Sequence, residues 1–193
     1  MQTLITIDAG IFNFLNQTLA NPFLDLIMPV ITNLNYWRIP IFLIWLYLII
    51  KGGRKGRVVA ILLIPVLTMS DQIASSLLKP LFGRIRPCHE LENVRLLVGC
   101  GGKLAFPSSH ATNISAVAFL FAYFYRKGTP WFAFIAFMVG YSRIYVGVHY
   151  PGDVLFGFFV GCCVSVLLII LYLEIAKRFP AVAYITENPP EKS

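Results

Sequence analysis

The chain has 193 residues, 58% of them hydrophobic and 13% charged, with a formal net charge of +7 and a mean hydropathy of +0.73. Soluble domains run at about half apolar and a quarter charged, so this composition excludes an ordinary soluble protein and indicates an integral membrane protein. Apolar runs follow one another too closely for a second, soluble domain, and residues 1–193 read as a single membrane domain.

Residues 3–20 place Leu4, Ile7, Ile11, Leu15 and Leu19 at helical spacing, with Asp8, Asn13 and Gln17 elsewhere. That pattern suits a short interfacial helix better than a span. No basic flank or small-residue cleavage site marks it as a removable signal peptide. Asn21-Pro22 ends it. Pro22 to Trp37 reads as a first, rather polar span and Ile41 to Ile50 as a second, both short for a hydrocarbon core of about 30 Å. Lys51 to Arg57 packs four cations and three glycines into seven residues, the pattern of a cytoplasmic loop. Val58 to Leu78 is the third span. Its Asp71 reads as one side of an interhelical hydrogen bond with Ser70 or Gln72 nearby.

Residues 79–107 form the longest connection, where Arg84 and Arg95 read as solvated or headgroup-facing charges and Gly99, Gly101 and Gly102 as flexible backbone. Cys88 and Cys100 both fall in it, either bridged or free, and His89 reads as a polar loop residue and not a metal ligand. Ala111 to Tyr125 is the fourth span. A basic return at Arg126-Lys127 precedes Trp131 to Tyr141, the fifth. Val154 to Leu173 is a sixth, without charge but with Cys162 and Cys163 as small buried hydrophobes; Lys177 and Arg178 close it before a loose tail from Pro180. The expected fold is all-α, a six-span transmembrane helix bundle with a short N-terminal interfacial helix. The basic turns share one face, and six spans put both termini there.

Three short stretches meet at the other face: Lys79-x6-Arg86-Pro87, Pro107-Ser108-Ser109-His110, and Ser142-Arg143-x5-His149-x3-Asp153. Two arginines and a lysine with no acidic cluster beside them suit a tetrahedral phosphate, since guanidinium groups bind its oxygens in bidentate fashion and lysine adds a point charge. His149 and Asp153 stand four apart, within reach if the chain turns helical after Tyr150, so the carboxylate can fix the imidazole tautomer and leave one ring nitrogen as a nucleophile. Pro151 suits the first position of that helix and Asp153 its first turn. His110 follows Ser108, a helix N-cap candidate, at the start of an apolar run where free N–H groups can hold an anion, and is placed as a general acid.

Together these stretches resemble the three-part signature of the type 2 phosphatidic acid phosphatase superfamily, which includes lipid phosphate phosphatases and vanadium haloperoxidases. The resemblance covers roughly residues 20–175. It implies that Lys79, Arg86 and Arg143 bind phosphate, that Ser108 and the backbone around Ser109 add hydrogen bonds, and that His149 is the nucleophile, Asp153 its orienting partner and His110 the acid for the leaving oxygen. The chain departs from the pattern at Ser109, where the family usually has glycine. The implied function is hydrolysis of a lipid phosphomonoester or pyrophosphate through a phosphohistidine, at the outer face of the cytoplasmic membrane, with phosphatidic acid, phosphatidylglycerol phosphate, undecaprenyl pyrophosphate and lipid A 1-phosphate as candidate substrates. Protein cations carry the phosphate charge, so neither a metal nor another cofactor is expected; the bilayer and its lipids are the expected partners, and nucleic acid is not. A lipid-to-lipid phosphotransferase would use the same site. A transporter would account for the spans but give the motifs no role.

Overall fold

The computed structural model describes residues 2–179, so the tail from Pro180 lies outside the described residues. Every named element is helical: α1 (Gln2–Asn13, running on as a π turn over Phe14–Thr18), α2 (Pro22–Thr32), α3 (Leu34–Ile50), α4 (Gly53–Gln72), α5 (Lys79–Phe82), α6 (Pro87–Glu90), α7 (Ser109–Phe124), α8 (Thr129–Tyr145) and α9 (Pro151–Arg178). A second π turn over Ile73–Leu78 joins α4 to α5, giving one helix from Gly53 to Phe82. That helix and α9 are each long and apolar enough to cross a membrane, and α2 with α3 makes a third candidate, bent by 55° at its break. Large apolar side chains such as Leu26, Ile39, Leu81, Trp131 and Leu155 point outward. An exterior of this kind belongs in lipid.

Helices α7 and α9 pack backbone to backbone because α9 carries Gly157 and Gly161, four apart on one face. A Cβ at Gly157 would stand 2.9 Å from the Ser108 carbonyl oxygen and 3.0 Å from Ala111 Cβ, and one at Gly161 would stand 2.9 Å from the Ala116 nitrogen. Small residues at this spacing are what let membrane helices approach so closely. The close approach seats the start of α7 against the start of α9, where the Ser108 N–H donates to the Asp153 carbonyl at 3.0 Å. Val59, Val66, Leu120, Val164 and Leu168 fill the core beside this seam. Asp71 does join an interhelical bond, but its partner is Asn113 on α7, whose Nδ2 donates to it at 3.1 Å while Ser70 Oγ donates to Asn113 Oδ1 at 2.7 Å.

The two ends of the bundle are chemically distinct. Lys55 sits 4.5 Å over the Tyr125 ring, bringing the two basic turns together at one end. The start of the chain is at the other end, with the motifs, and not on the basic face as six spans required. Buried Asn16 donates to the Arg95 and Tyr145 carbonyls at 2.9 and 2.8 Å and accepts from the Arg95 N–H at 3.0 Å. Gln17 reaches the Asn93 carbonyl at 3.1 Å, and the Asn21 N–H donates to the Tyr145 hydroxyl at 3.1 Å. The polar stripe of α1 therefore satisfies loop carbonyls in place of water. Arg95 is likewise not a free surface charge: it pairs with Asp25 and lies 5.2 Å over the Tyr145 ring.

Candidate active site

Each motif is held by its own backbone chemistry. Lys79 begins α5 directly after the π turn, and its Nζ donates to the Ala105 and Pro107 carbonyls at 3.0 and 2.6 Å, tying the first motif to the second. An ammonium has a third donor to spare. Arg86 gives Nε to the Leu104 carbonyl at 3.2 Å and Nη1 to the Cys100 carbonyl at 2.9 Å. Cys100 is in turn bonded to Cys88 in a disulfide, so the loop under Arg86 is covalently closed. His89 stands beside that bridge, its Nε2 3.4 Å from the Gly101 carbonyl.

Ser108 is the residue before α7, as its sequence position indicates, but its hydroxyl makes no capping bond. It is fully buried, and its Oγ has no hydrogen-bond partner. Ser109 Oγ lies 3.0 Å from Ser75 Oγ, so the side chain at the unusual position is spent on the neighbouring helix. Arg143, near the end of α8, donates from Nη1 to Thr32 Oγ1, while its buried Nε has no partner. Buried polar atoms are rarely left unpaired. The two that stand out here, Ser108 Oγ and Arg143 Nε, both belong to the motifs, and an anion oxygen would satisfy them.

The third motif turns back on itself through Gly147, whose φ of +88° and 2.7 Å Cβ distance to the Arg95 carbonyl oxygen exclude any larger residue. The turn lets the Val148 and His149 N–H groups donate to the Arg143 carbonyl, both at 3.2 Å. Pro151 opens α9 and Asp153 sits in its first turn, where it accepts the Tyr150 N–H at 2.9 Å. The same oxygen, Oδ2, lies 3.3 Å from His149 Nδ1. His149 is 1% exposed and Asp153 is fully buried. Burial, then the charges of Arg143, Arg86 and Lys79, hold the His149 imidazole well below its ordinary pKa, so it is neutral at physiological pH. His110 is close enough to contribute to that field.

Two functional neighbours were not visible in the sequence. Arg84, read there as solvated, donates from Nη1 to Asp153 Oδ1 at 2.9 Å, pairs through Nη2 with Asp8 Oδ2 at 2.7 Å, and stacks 4.0 Å over the Tyr150 ring. Asp8 Oδ1 accepts the Gly152 N–H at 2.8 Å, placing a carboxylate from α1 at the N-terminus of α9. Tyr150 completes the cluster by donating its hydroxyl to Glu90 at 2.8 Å. Asp8, Arg84, Asp153 and His149 thus form one continuous chain of contacts. The extra arginine two residues before Arg86 was the one available signal.

The PAP2 superfamily model matches residues 57–177, a span that contains all three motifs. The chain is 34% identical over 172 residues to a lipid A 4'-phosphatase of Bacteroides thetaiotaomicron, covering 83% of this chain and 75% of the relative. It is 33% identical over 187 residues to a lipid A 4'-phosphatase of Porphyromonas gingivalis, covering 93% and 78%. The fold matches that of a PAP2-type phosphatidylglycerolphosphate phosphatase from Bacillus subtilis with a TM-score of 0.72 at 24% identity, over 93% of this chain and 90% of that one. With the motifs, the helical bundle and relatives matched over most of their length in agreement, this chain belongs to the PAP2 superfamily of membrane phosphatases.

Proposed function

We propose that the protein is a membrane lipid phosphatase that works through His149, and that the observation carrying this is the convergence of Arg143, Arg86 and Lys79 on one buried neutral histidine beside two unpaired polar atoms. Asp153 accepts the Nδ1 proton, which leaves Nε2 as the attacking atom. Nε2 bonds to phosphorus as the ester P–O bond breaks in line, and His110 gives its proton to the departing oxygen. Water, deprotonated by the same His110, then cleaves the N–P bond and releases phosphate. Lys79, Arg86 and Arg143, with Ser108 Oγ and the first N–H groups of α7, take up the charge on the equatorial oxygens. Three protein cations at the phosphate make a divalent ion unnecessary.

The substrate is a lipid phosphate. The relatives named for lipid A and the fold neighbour named for phosphatidylglycerolphosphate support lipid A phosphate and phosphatidylglycerol phosphate as the leading candidates, with phosphatidic acid and undecaprenyl pyrophosphate sharing the same reacting group. Residues 1–193 act as one domain in the cytoplasmic membrane, with the motif face toward the periplasm or cell exterior and the basic turns toward the cytoplasm. In this reading α3, Gly53–Phe82, α7, α8 and α9 cross the bilayer, and α1 and α2 rest on the motif face: Asp25 near the start of α2 meets Tyr145 at 2.6 Å, and Thr32 at its end meets Arg143.

The test is phosphate release from lipid A and from phosphatidic acid by the purified protein in excess EDTA, beside His149→Ala, with acid-labile phosphate on the protein measured after a rapid quench. Release and a labile phosphoenzyme in the parent, both absent from the variant, are expected. Turnover by His149→Ala at the parent's rate would overturn the assignment.

A further inference from the structure

α2 ends at Thr32 and α3 begins at Leu34, with only Asn33 between them, extended at φ −87° and ψ 101°. Residues 30–36 contain neither proline nor glycine to force the interruption. In an unbroken helix the Tyr36 N–H would bond to the Thr32 carbonyl. Here it bonds to the Asn33 carbonyl at 3.1 Å, and Asn33 Oδ1 accepts the Asn35 N–H at 3.1 Å. The break therefore satisfies its own donors within the turn and releases the Thr32 carbonyl from its helical partner.

That carbonyl accepts a hydrogen bond from the His110 ring. The hydroxyl of the same residue, Thr32 Oγ1, accepts from Arg143 Nη1. Thr32 is 5% exposed, and with His110 and Arg143 it lines one cleft of about 340 Å³. A residue outside all three motifs thus touches the histidine of the second and a cation of the third. Its seat is fixed from the far end of α2, where Asn21 Oδ1 caps the helix by accepting the Leu24 N–H at 2.9 Å and Asp25 accepts the Tyr145 hydroxyl at 2.6 Å.

Both contacts act on groups that the reaction uses. Arg143 spends Nη1 on Thr32 and keeps its buried Nε unpaired, so a guanidinium pinned at one corner holds its plane toward the phosphate, and a planar fork binds an anion well only in the right orientation. His110 has to give a proton to the leaving oxygen and take one from water. One ring nitrogen must cycle while the other stays protonated and aimed. Asp153 plays that part for His149, and a neutral carbonyl plays it for His110 without setting a second anion beside the phosphate. Resting on the phosphatase reading above, we propose that Thr32 is a positioning residue of the reaction: its hydroxyl orients Arg143 toward the phosphate, and its carbonyl fixes the tautomer and direction of His110.

The experiment compares Thr32→Val, which keeps the shape and removes the hydroxyl, with Thr32→Ser, which keeps the hydroxyl. Dioctanoyl phosphatidic acid is the substrate, inorganic phosphate the competitor, and thermal unfolding reads the fold of each protein separately. Thr32→Val is expected to raise KM and weaken inhibition by phosphate about tenfold, the size of one lost charge-assisted bond, and Thr32→Ser to recover most of both. The carbonyl contact is read in the parent by nitrogen-15 spectra of histidine-labelled protein, with the His110 signals identified by their loss in His110→Gln. One ring nitrogen stays protonated above neutrality, in a single tautomer. Phosphate inhibition unchanged in Thr32→Val, a loss in Thr32→Ser as large as in Thr32→Val, or a His110 ring that samples both tautomers overturns the role of Thr32 while leaving the phosphatase intact. A parent that releases phosphate from neither dioctanoyl phosphatidic acid nor lipid A overturns the phosphatase reading, and the role of Thr32 falls with it.

Discussion

Arg84 holds Asp153 from the side opposite His149: its Nη1 lies 2.9 Å from Asp153 Oδ1, while Asp153 Oδ2 faces the imidazole at 3.3 Å. Its other nitrogen is anchored 2.7 Å from Asp8. Removing the guanidinium leaves a fully buried carboxylate with one partner fewer and free to rotate, and a misplacement of about 1 Å near the reacting atoms costs on the order of 10²-fold. Arg84→Ala is expected to lower kcat by that order with KM within a few-fold, and Arg84→Lys to recover part of it. Asp8→Asn keeps an acceptor for the Gly152 N–H and is expected to cost less than tenfold. An Arg84→Ala enzyme with normal kcat and raised KM would instead make Arg84 a substrate ligand.

How much of this was legible in the sequence depends on whether a residue's role is local. The start of α9 was readable because Pro151 and Asp153 obey helix-start preferences within one turn. The motif residues were readable because phosphate binding calls for cations and histidines at a spacing that shows in the chain. Arg84 was not, since its partners Asp8 and Asp153 are remote in the chain and an arginine in a loop looks the same whether it meets water or a carboxylate. The same holds for α1: Asp8, Asn13 and Gln17 fit the polar side of an interfacial helix, yet in the folded chain Asp8 and Gln17, with Asn16, bond to loops and to the start of α9. The pairing of Gly157 with Gly161 was not read from the sequence, yet their spacing of four is what lets α9 approach α7 and align the second motif with the third.

The neutral state of His149 has a consequence for pH dependence. Its folded pKa is held well below 6.5, its ordinary value, so above about pH 6.5 folded and unfolded chains both carry it neutral and its contribution to stability is complete. As pH falls below about 6.5 the unfolded chain takes up a proton that the folded chain refuses, and stability declines. Thermal midpoints in detergent should therefore fall from pH 7 to pH 5, and fall less steeply in His149→Asn. Equal slopes in the two proteins would place the acid sensitivity elsewhere.

Closing the loop between Cys88 and Cys100 fixes the carbonyl that receives Arg86 Nη1. With a sequence separation of 12, the crosslink is worth about 3 kcal/mol through the unfolded chain. Cys88→Ser with Cys100→Ser, or reduction by dithiothreitol, should lower the thermal midpoint and raise KM several-fold more than it lowers kcat, because Arg86 loses part of its support while His149 and Asp153 keep theirs. Competition by inorganic phosphate gives the independent reading, with weaker inhibition expected when the bridge is open. A change in stability without any change in phosphate affinity would confine the disulfide to a structural role.

With α3, Gly53–Phe82, α7, α8 and α9 as the crossings proposed above, the two ends of the described chain lie on opposite faces. Polar contacts made by α1 and α2 support that count: Asp8 with Gly152, Asn16 with Tyr145 and Arg95, and Thr32 with Arg143 all lie at the motif end, whereas the turn after α3 meets the basic end through Lys55 and Tyr125. A single cysteine introduced at Thr3, an exposed position, in a background lacking Cys162 and Cys163 should react with a membrane-impermeant maleimide from the periplasmic side of intact cells. One placed at Lys177, also exposed, should react only after the membrane is opened. Labelling of both from the same side would restore an even number of crossings and require α2 to traverse the bilayer, which its 11 residues, about 16 Å of helix, are too short to do unaided.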